Sequence, residues 1–310
     1  MQRCTRKEYG RSMKRENDPS SELARLRRNN SSMQLIIVVL LTHFVDRLFL
    51  STKDCVPIVS PAVITSSETK VTVVPPPKQG PTLLQSSMVD LAPVANSPRG
   101  KMAQREGLED QLDQFFGSRS NLFFVESGAF DGIAFSNTLW FEQERQWKGL
   151  LVEANPKLIR AIEEKSGRTG SKLVKGCLST SNKDMKVQFK LAGPIGGIAA
   201  HMDAQHKRRV HNEMPSNKEW GGELVDVNCF PLNDILAELA VDVVDFWSLD
   251  TEGSEVAILQ TIDFQRTLFG LLFIESNSPE HRRQVSQFML SQGFVENKVL
   301  SGPLDSAWQH

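Results

Sequence analysis

Residues 124–132 read FVESGAFDG. The run begins as an apolar strand, passes through Glu126 into a turn with two glycines, and leads to a helical pattern over residues 137–145. Gly128 allows the backbone to approach a ligand closely, and the amides of residues 136–138 are predicted to be free to bind a carboxylate or phosphate. The turn is a candidate ligand site, although a strand, a Gly-Ala turn and a helix occur together in many folds.

A second predicted strand, residues 149–153, ends in Glu153 about twenty residues after the glycine turn. An acid at this position accepts hydrogen bonds from both hydroxyls of an adenosine ribose. A dinucleotide would also need a third glycine and a pyrophosphate cradle, and Asp131 occupies that loop instead. The single tyrosine, Tyr9, leaves no Tyr-x-x-x-Lys pair for an NAD-dependent oxidoreductase. The spacing therefore favours a sulfonium nucleoside over NAD.

From residue 108 onward, apolar runs alternate with amphipathic stretches. This alternation predicts a mostly parallel sheet with helices on both faces. The predicted strands are 122–125, 149–153, 173–177, 187–190, 225–230, 243–249 and 271–275, followed by two antiparallel candidates at 294–299 and 305–308. The predicted helices are 137–145, 156–165, 231–239, 254–261 and 279–292.

The first 107 residues have a different character. Residues 1–32 contain nine basic and four acidic residues and almost no apolar ones, which predicts a disordered tail. Residues 33–50 are predicted to be a membrane anchor, although their uninterrupted apolar run is shorter than the roughly 20 residues of a spanning helix. The basic flank precedes this segment, so the tail is predicted to be cytoplasmic, in type II topology. Residues 51–107, rich in Pro, Ser and Thr, are predicted to form an extended stem.

The cysteines and histidines give no sign of a metal site. Cys177 and Cys229 could form a disulfide if the C-terminal domain is lumenal, and two buried free thiols are an equally compatible prediction. His201, His206 and His211 are spaced by five residues, which places successive side chains about 140° apart on a helix rather than on one face. A net charge of −1 gives no reason to expect a nucleic-acid partner.

Four stretches of the chain resemble the FkbM family of methyltransferase domains. They are residues 125–132, 149–156 (GLLVEANP), 176–179 (GCLS) and 245–259 (DFWSLDTEGSEVAIL). The most specific is 250–255, which resembles the family's Asp-x-Glu-Gly-x-Glu signature. The resemblance covers residues 108–310. It implies a Rossmann-like class I methyltransferase fold, with a mostly parallel seven-stranded sheet and an antiparallel C-terminal strand, and S-adenosyl-L-methionine as cofactor.

The resemblance also implies roles for individual residues. Those predicted to bind the cofactor are Glu126, Gly128 and Asp131 at its methionine end, Glu153 at the ribose, and Cys177 and Leu178 near the adenine; Asn137, at the start of the helix after the glycine turn, joins them. Asp250 is expected beside the departing methyl group, and Asp250 and Glu252 are the catalytic candidates. The histidines of the insertion, His201, His206 and His211, are further candidates for the base that removes the acceptor's proton. In one departure, the family's first motif ends Gly-Ala-Asn-x-Gly, whereas this chain has Phe130 in place of the Asn.

Together with the predicted anchor and stem, the domain is similar to a membrane-anchored arthropod group of this family that includes the protein Star, which is associated with cargo export from the endoplasmic reticulum and Golgi traffic. Two functions are therefore predicted. One is O-methyl transfer to a hydroxyl or carboxyl of a glycan, lipid or small molecule. The other is an inactive trafficking protein that binds secretory cargo. Both place the domain in the lumen of the endoplasmic reticulum, Golgi or endosome, or outside the plasma membrane.

Overall fold

The computed structural model describes residues 82–213 and 221–310. The predicted tail (1–32), the predicted anchor (33–50) and the first part of the predicted stem lie outside the described residues. Within the two described ranges, no helix has the length and apolar character needed to cross a membrane.

The described residues form twelve strands in two sheets. The strands are β1 (Met88–Asp90), β2 (Phe123–Ser127), β3 (Lys148–Glu153), β4 (Ser171–Lys175), β5 (Cys177–Leu178), β6 (Met185–Ala192), β7 (Gly197–Ile198), β8 (Gly221–Phe230), β9 (Val243–Leu249), β10 (Leu268–Glu275), β11 (Val295–Glu296) and β12 (Asp305–Gln309). The larger sheet has the order β1-β4-β3-β2-β9-β10-β12-β11. The five adjacent strands from β4 to β10 are parallel to one another, and the C-terminal strand β12 is antiparallel to β10. The predicted class I methyltransferase fold is thereby confirmed.

The larger sheet has eight strands rather than the predicted seven, and the domain starts earlier than residue 108. The extra strand β1 pairs antiparallel with β4 at the outer edge, with Met88 opposite Val174. A short helix precedes β1 and begins with a capping box between Thr82 and Gln85. Its residue Leu84 packs in the core. The residues from 82 to 107 are therefore part of the fold and not an extended stem. Their proline content suggested irregular backbone, and three strand residues are too few to show a period.

Eight α-helices lie within the described residues. They are α1 (Leu83–Ser87), α2 (Leu108–Phe115), α3 (Leu139–Arg145), α4 (Pro156–Ala161), α5 (Ala204–Glu213), α6 (Leu232–Glu238), α7 (Glu255–Leu259) and α8 (Pro279–Ser291). The helix predicted at 156–165 continues past α4 as one π-helical turn, Ile162–Ser166. The strand predicted at 173–177 is divided between β4 and β5, because Gly176 turns the chain out of the larger sheet and into the smaller one.

Helices cover both faces of the larger sheet, as predicted. Neighbouring residues on a strand point to opposite faces, so Trp247 and Phe246 of β9 belong to different cores. Trp247 packs in the cluster that contains Ile235 of α6 and Met289 of α8. Phe246 packs in the cluster that contains Leu112 of α2. The rings of Trp247 and Phe246 are both fully buried, so the end of β9 is held rigidly between the two layers.

The smaller sheet has the order β5-β8-β6-β7 and is formed by the segment inserted between β4 and α6. Its buried side is a separate apolar cluster that includes Phe189, Val227 and Cys229. The same segment contributes α5, on which Val210 is the buried residue. This insertion extends beyond the carboxyl ends of the parallel strands and supplies the outer wall of the site described next.

Candidate active site

Four neighbouring parallel strands of the larger sheet carry an acidic residue at or near the carboxyl end. In sheet order from β3 to β10 these residues are Glu153, Glu126, Asp250 and Glu275. All four line one cavity of about 940 Å³. Ligands of open α/β sheets bind at this edge, and the cavity has the volume of a typical small-molecule site. The strand ends thus bring most of the predicted site residues together.

Gly128 is required by the close approach of two strand ends. Its φ of 84° lies in the left-handed region, and a Cβ here would lie 1.8 Å from the carbonyl oxygen of Asp250. The amide of Gly128 donates to Val152 O at 3.0 Å, and the amide of Asp250 donates to Ser127 O at 3.0 Å. The loop after β2 is therefore fastened to both adjacent strands, and only glycine allows its backbone to come this close to Asp250.

The amides after the glycine turn are not free, contrary to the prediction. Asn137 N donates to Glu126 Oε1 at 2.8 Å, and the hydroxyls of Ser136 and Thr138 donate to Glu126 Oε2 at 2.8 and 2.6 Å. The Asn137 side chain donates to Ser248 Oγ at 3.0 Å. Glu126 and Asn137 line the cavity, but the carboxylate of Glu126 is occupied in holding the loop of residues 132–138 against the sheet.

Arg168 completes this support, and the sequence analysis did not identify it. The guanidinium is 1% exposed. It donates to Glu142 at 2.7 Å, to Thr138 Oγ1 at 2.7 Å and to Gly132 O at 3.0 Å, and it lies 3.6 Å from Glu126. A single arginine far from the motif gives no sequence signal, because its partners are defined only by the fold.

Asp131 does not line the cavity. Its Oδ1 accepts hydrogen bonds from Ile133 N at 2.9 Å and Ala134 N at 2.7 Å, and the carboxylate therefore stabilises the turn. Side chains of this kind favour such local turns because they satisfy amides two and three residues ahead. The prediction that Asp131 lines the methionine end of the cofactor does not agree with this placement.

Glu153 is 6% exposed and faces the cavity. Its Oε1 accepts from Asn155 N at 2.8 Å and its Oε2 accepts from Phe130 N at 2.9 Å. Each carboxylate oxygen has a further lone pair for a ligand hydroxyl. Burial raises the pKa of Glu153 to about 7, against the backbone hydrogen bonds that lower it. Phe130 adopts a left-handed φ of 53°, which Asn tolerates better than an aromatic residue.

Cys177 and Leu178 form the wall of the cavity at the start of the smaller sheet. Cys177 is bonded to Cys229, which lies opposite it in the β5–β8 pair. The two cysteines are therefore a disulfide rather than free thiols. The bond joins β5, which follows β4 of the larger sheet, to β8, which precedes α6.

The signature loop at residues 250–255 begins where β9 ends. Asp250 faces the open cavity. Glu255 is fully buried, and its carboxylate accepts from Thr251 N at 2.6 Å and from Gly253 N at 2.9 Å, so it shapes the loop. Glu252 adopts a φ of 57° and accepts from the Asn277 side chain at 3.1 Å. The two catalytic candidates, Asp250 and Glu252, thus line the same cavity.

The acidic groups raise one another's pKa. Burial raises the pKa of Asp250 to about 7 and that of Glu252 to about 9, and the charge of Asp250 adds to the shift of Glu252. The pKa of Glu275 lies well above its usual range, first because of burial and then because of the charges of Asp250 and Glu252. The carboxyl groups of Asp250 and Glu275 share a hydrogen bond. Protons are therefore retained at this edge near neutral pH.

Basic groups approach the cavity from the insertion and from α8. His206 Nδ1 and Arg209 Nη1 each lie 3.6 Å from Glu252, and His281 Nε2 lies 3.3 Å from Glu255. The sequence analysis named His206 as a candidate base, and it did not assign Arg209, His281 or Glu275 to the site. Glu275 could have been found, because it ends a predicted strand just as Glu153 does.

A model of the methyltransferase FkbM domain matches residues 126–296, more than half of the 310-residue chain. The chain belongs to the FkbM methyltransferase family. The family predicted from the motifs is confirmed, and the match does not include the predicted anchor or stem. A comparison with curated proteins found no match.

Two solved structures illustrate what the FkbM domain is similar to. Precorrin-6y C5,15-methyltransferase from Geobacter metallireducens GS-15 has 12% sequence identity and a TM-score of 0.37, over 69% of this chain and 94% of that one. Human methyltransferase 10 domain containing protein has 10% identity and a TM-score of 0.36, over 68% of this chain and 85% of that one. Identities this low concern the fold alone.

Loss of the disulfide in the FkbM domain should lower its stability. Replacing Cys177 and Cys229 by serine removes a cross-link that spans 52 residues, and we expect the free energy of unfolding to fall by about 2–4 kcal/mol. Urea denaturation of the parent and the double variant measures the difference. The Cys4→Ser/Cys55→Ser variant is the control and should match the parent. Equal midpoints for all three proteins would contradict the prediction.

The buried carboxyl of Glu153 should make stability depend on pH. Its pKa of about 7 lies above the ordinary value of 4.5, so the folded state binds more protons than the unfolded state between these values. The contribution of this carboxyl to the free energy of unfolding is fully present below pH 4.5 and is lost as the pH rises through 7. Between pH 5 and 8 the free energy of unfolding should fall by about 3 kcal/mol less in Glu153→Gln than in the parent. Chemical denaturation at each pH tests this, with exposed Glu164→Gln as control; parallel profiles for parent and Glu153→Gln would refute it.

Proposed function

We propose that this protein is an S-adenosyl-L-methionine-dependent methyltransferase that acts on an oxygen of its acceptor. The observation that carries the proposal is that Glu153 and Asp250, two strands apart, face one cavity at the carboxyl edge of the sheet. In this proposal Glu153 holds the ribose, and Asp250 lies beside the acceptor. Family membership supplies the reaction class.

The residues present fit this cofactor. Glu153 offers two carboxylate oxygens with lone pairs remaining for two hydroxyls. Leu178 and the Cys177 disulfide offer an apolar wall for the adenine. Gly128 lines the cavity, and its lack of a side chain lets the loop after β2 approach the carbonyl of Asp250 closely. Glu126 contributes indirectly, because it fixes the loop that carries Asn137 into the cavity wall.

Asp250 is the residue suited to take the acceptor's proton. When bound, S-adenosylmethionine supplies an electrophilic methyl carbon, which the acceptor oxygen takes while the electron pair of the S–C bond stays on sulfur. Asp250 faces the cavity, and burial raises its pKa to about 7, which is where a general base works best at neutral pH. Glu252, with a pKa of about 9, keeps its proton under the same conditions. Its place beside His206 and Arg209 suits it to positioning the acceptor.

We also propose that the domain is lumenal or extracellular and is anchored in type II topology by residues 33–50, in the endoplasmic reticulum, Golgi, endosome or plasma membrane. The basic tail before the apolar segment supports this topology. The Cys177–Cys229 disulfide supports an oxidising compartment. The test is a C-terminal tag in intact microsomes: protection from added protease is expected, and digestion would exclude the proposed topology.

The function is tested by titrating the full chain with S-adenosylmethionine and with S-adenosylhomocysteine in a calorimeter. Saturable binding of one cofactor per chain, in the micromolar range, is the expected result. The absence of binding by a protein with a cooperative unfolding transition would overturn the proposal. That outcome would favour the alternative, a Star-like cargo-export protein that keeps the fold without turnover.

A further inference from the structure

The acceptor side of the cavity contains three carboxylates that converge on one point. One oxygen each from Asp250, Glu255 and Glu275 can be chosen so that all three lie within 4.8 Å of one another. Asp250 and Glu275 lie at the ends of the adjacent strands β9 and β10, and Glu255 is the first residue of α7. The convergence is therefore set by ordered secondary structure and not by flexible side chains on a surface. Glu255 and Glu275 are buried, and Asp250 opens onto the cavity.

Positive charge inside the described ranges does not neutralise this group. No lysine or arginine there makes an ion pair with Asp250 or Glu275; the arginine that reaches the cluster, Arg209, lies 3.6 Å from Glu252 instead. His281 lies 3.3 Å from Glu255 and is charged only when protonated. Buried carboxylates are normally paired with a cation or bound to a metal ion.

Three buried polar atoms of described residues that line the same cavity have no hydrogen-bond partner: Glu275 Oε2, Ser254 Oγ and His281 Nε2. Glu275 is 7% exposed, and no N–H or hydroxyl of the described residues donates to its Oε2. The carboxyl groups of Glu275 and Asp250 can be bridged only by a proton or a cation. Ser254, which lies between Asp250 and Glu255 in the sequence, is 1% exposed, and its hydroxyl also has no hydrogen-bond partner. A buried acceptor without a partner is costly, and a bound ligand is one of the few arrangements that would satisfy it.

We propose that Asp250, Glu255 and Glu275 bind a divalent cation. All three ligands are hard oxygen donors, which select Mg²⁺, Mn²⁺ or Ca²⁺ over softer metals. Two oxygens bound to one Ca²⁺ ion are at most about 4.6–5.2 Å apart, which is twice the metal–oxygen distance. The three carboxylate oxygens, which all lie within 4.8 Å of one another, meet this limit.

The cation has a role in methyl transfer only if the proposed function is correct. Asp250 leaves one side of the site open to the cavity, where an acceptor hydroxyl or carboxyl could complete the coordination. A cation-bound hydroxyl is more acidic than a free one, which eases the loss of its proton to the second oxygen of Asp250. The acceptor would then be a molecule with an oxygen pair or a carboxylate that chelates the ion.

The test is titration of the full chain with MnCl₂, with free Mn²⁺ measured by electron paramagnetic resonance. One Mn²⁺ per chain is expected, displaced by Ca²⁺, and Glu275→Gln should weaken binding by at least about tenfold. Glu280→Gln is the matched control, because Glu280 also lines the cavity but is 60% exposed and pairs with Arg283. Asp250→Asn provides a second test should Glu275→Gln fail to fold.

The cofactor is titrated on the same samples so that the two proposals can be told apart. Mn²⁺ binding without cofactor binding would leave the metal site standing and overturn the proposed function. If the parent binds the cofactor but not Mn²⁺, the metal site alone is overturned. The same conclusion follows if Glu275→Gln and Asp250→Asn bind Mn²⁺ as tightly as the parent does. Glu153→Ala should leave Mn²⁺ affinity unchanged, because Glu153 is not one of the three converging ligands.

Discussion

Glu153→Ala is expected to raise the Kd for S-adenosylmethionine by at least about 100-fold. The carboxylate is the one charged acceptor at the end of β3 that lines the cavity. Hydrogen bonds from ligand hydroxyls to a charged acceptor contribute about 1.5–3 kcal/mol each. Loss of two such bonds corresponds to about 3 kcal/mol or more, and every 1.4 kcal/mol is a factor of ten in Kd. Calorimetric titration of parent and variant measures the ratio.

The variant needs two controls, because Glu153 also accepts hydrogen bonds from the amides of Phe130 and Asn155. Glu164→Ala removes an exposed carboxylate from the same region and should leave Kd unchanged. Glu153→Gln keeps the size of the side chain and an acceptor for one amide, and it should weaken binding in a protein that still unfolds cooperatively. A Kd within twofold of the parent in both Glu153 variants would rule out the ribose role.

The sequence could predict the sheet and the edge at which the site lies. The apolar runs before Glu126, Glu153 and Asp250 are short, continuous and followed by turns, which is the pattern of strands buried on both faces. Acids at the ends of parallel strands meet at one edge for geometric reasons alone. Glu275 follows the same rule, and the family motifs drew attention away from it.

The roles of individual polar side chains depended on contacts that a sequence does not contain. Asp131 and the amide of Asn137 looked free for a ligand, whereas their hydrogen bonds are made within the loop. A local pattern cannot distinguish an acid that binds a ligand from one that closes its own turn. Gly128 is a similar case, because the residue that excludes a Cβ at this position is Asp250, more than a hundred residues away in sequence.

Arg168→Met should cause the largest loss of stability of any single change considered, about 3–5 kcal/mol, because it leaves the buried carboxylates of Glu126 and Glu142 without a cation. The guanidinium is 1% exposed, so water cannot replace it. For a domain of this size the melting temperature should fall by about 6–20 °C. Differential scanning calorimetry measures the change.

The size of this effect follows from burial and not from the ion pair itself, and a second arginine in the chain shows the difference. Arg99 lies 3.2 Å from Glu144 with side chains 67% and 45% exposed, so Arg99→Met should cost less than about 1 kcal/mol. Arg168→Met in a Glu126→Gln background should cost less than in the parent, because the amide removes one of the two uncompensated charges. Equal losses for Arg168→Met and Arg99→Met would mean that Arg168 does not hold the loop of residues 132–138 against the sheet, and the cavity wall beside Glu126 would then need another support.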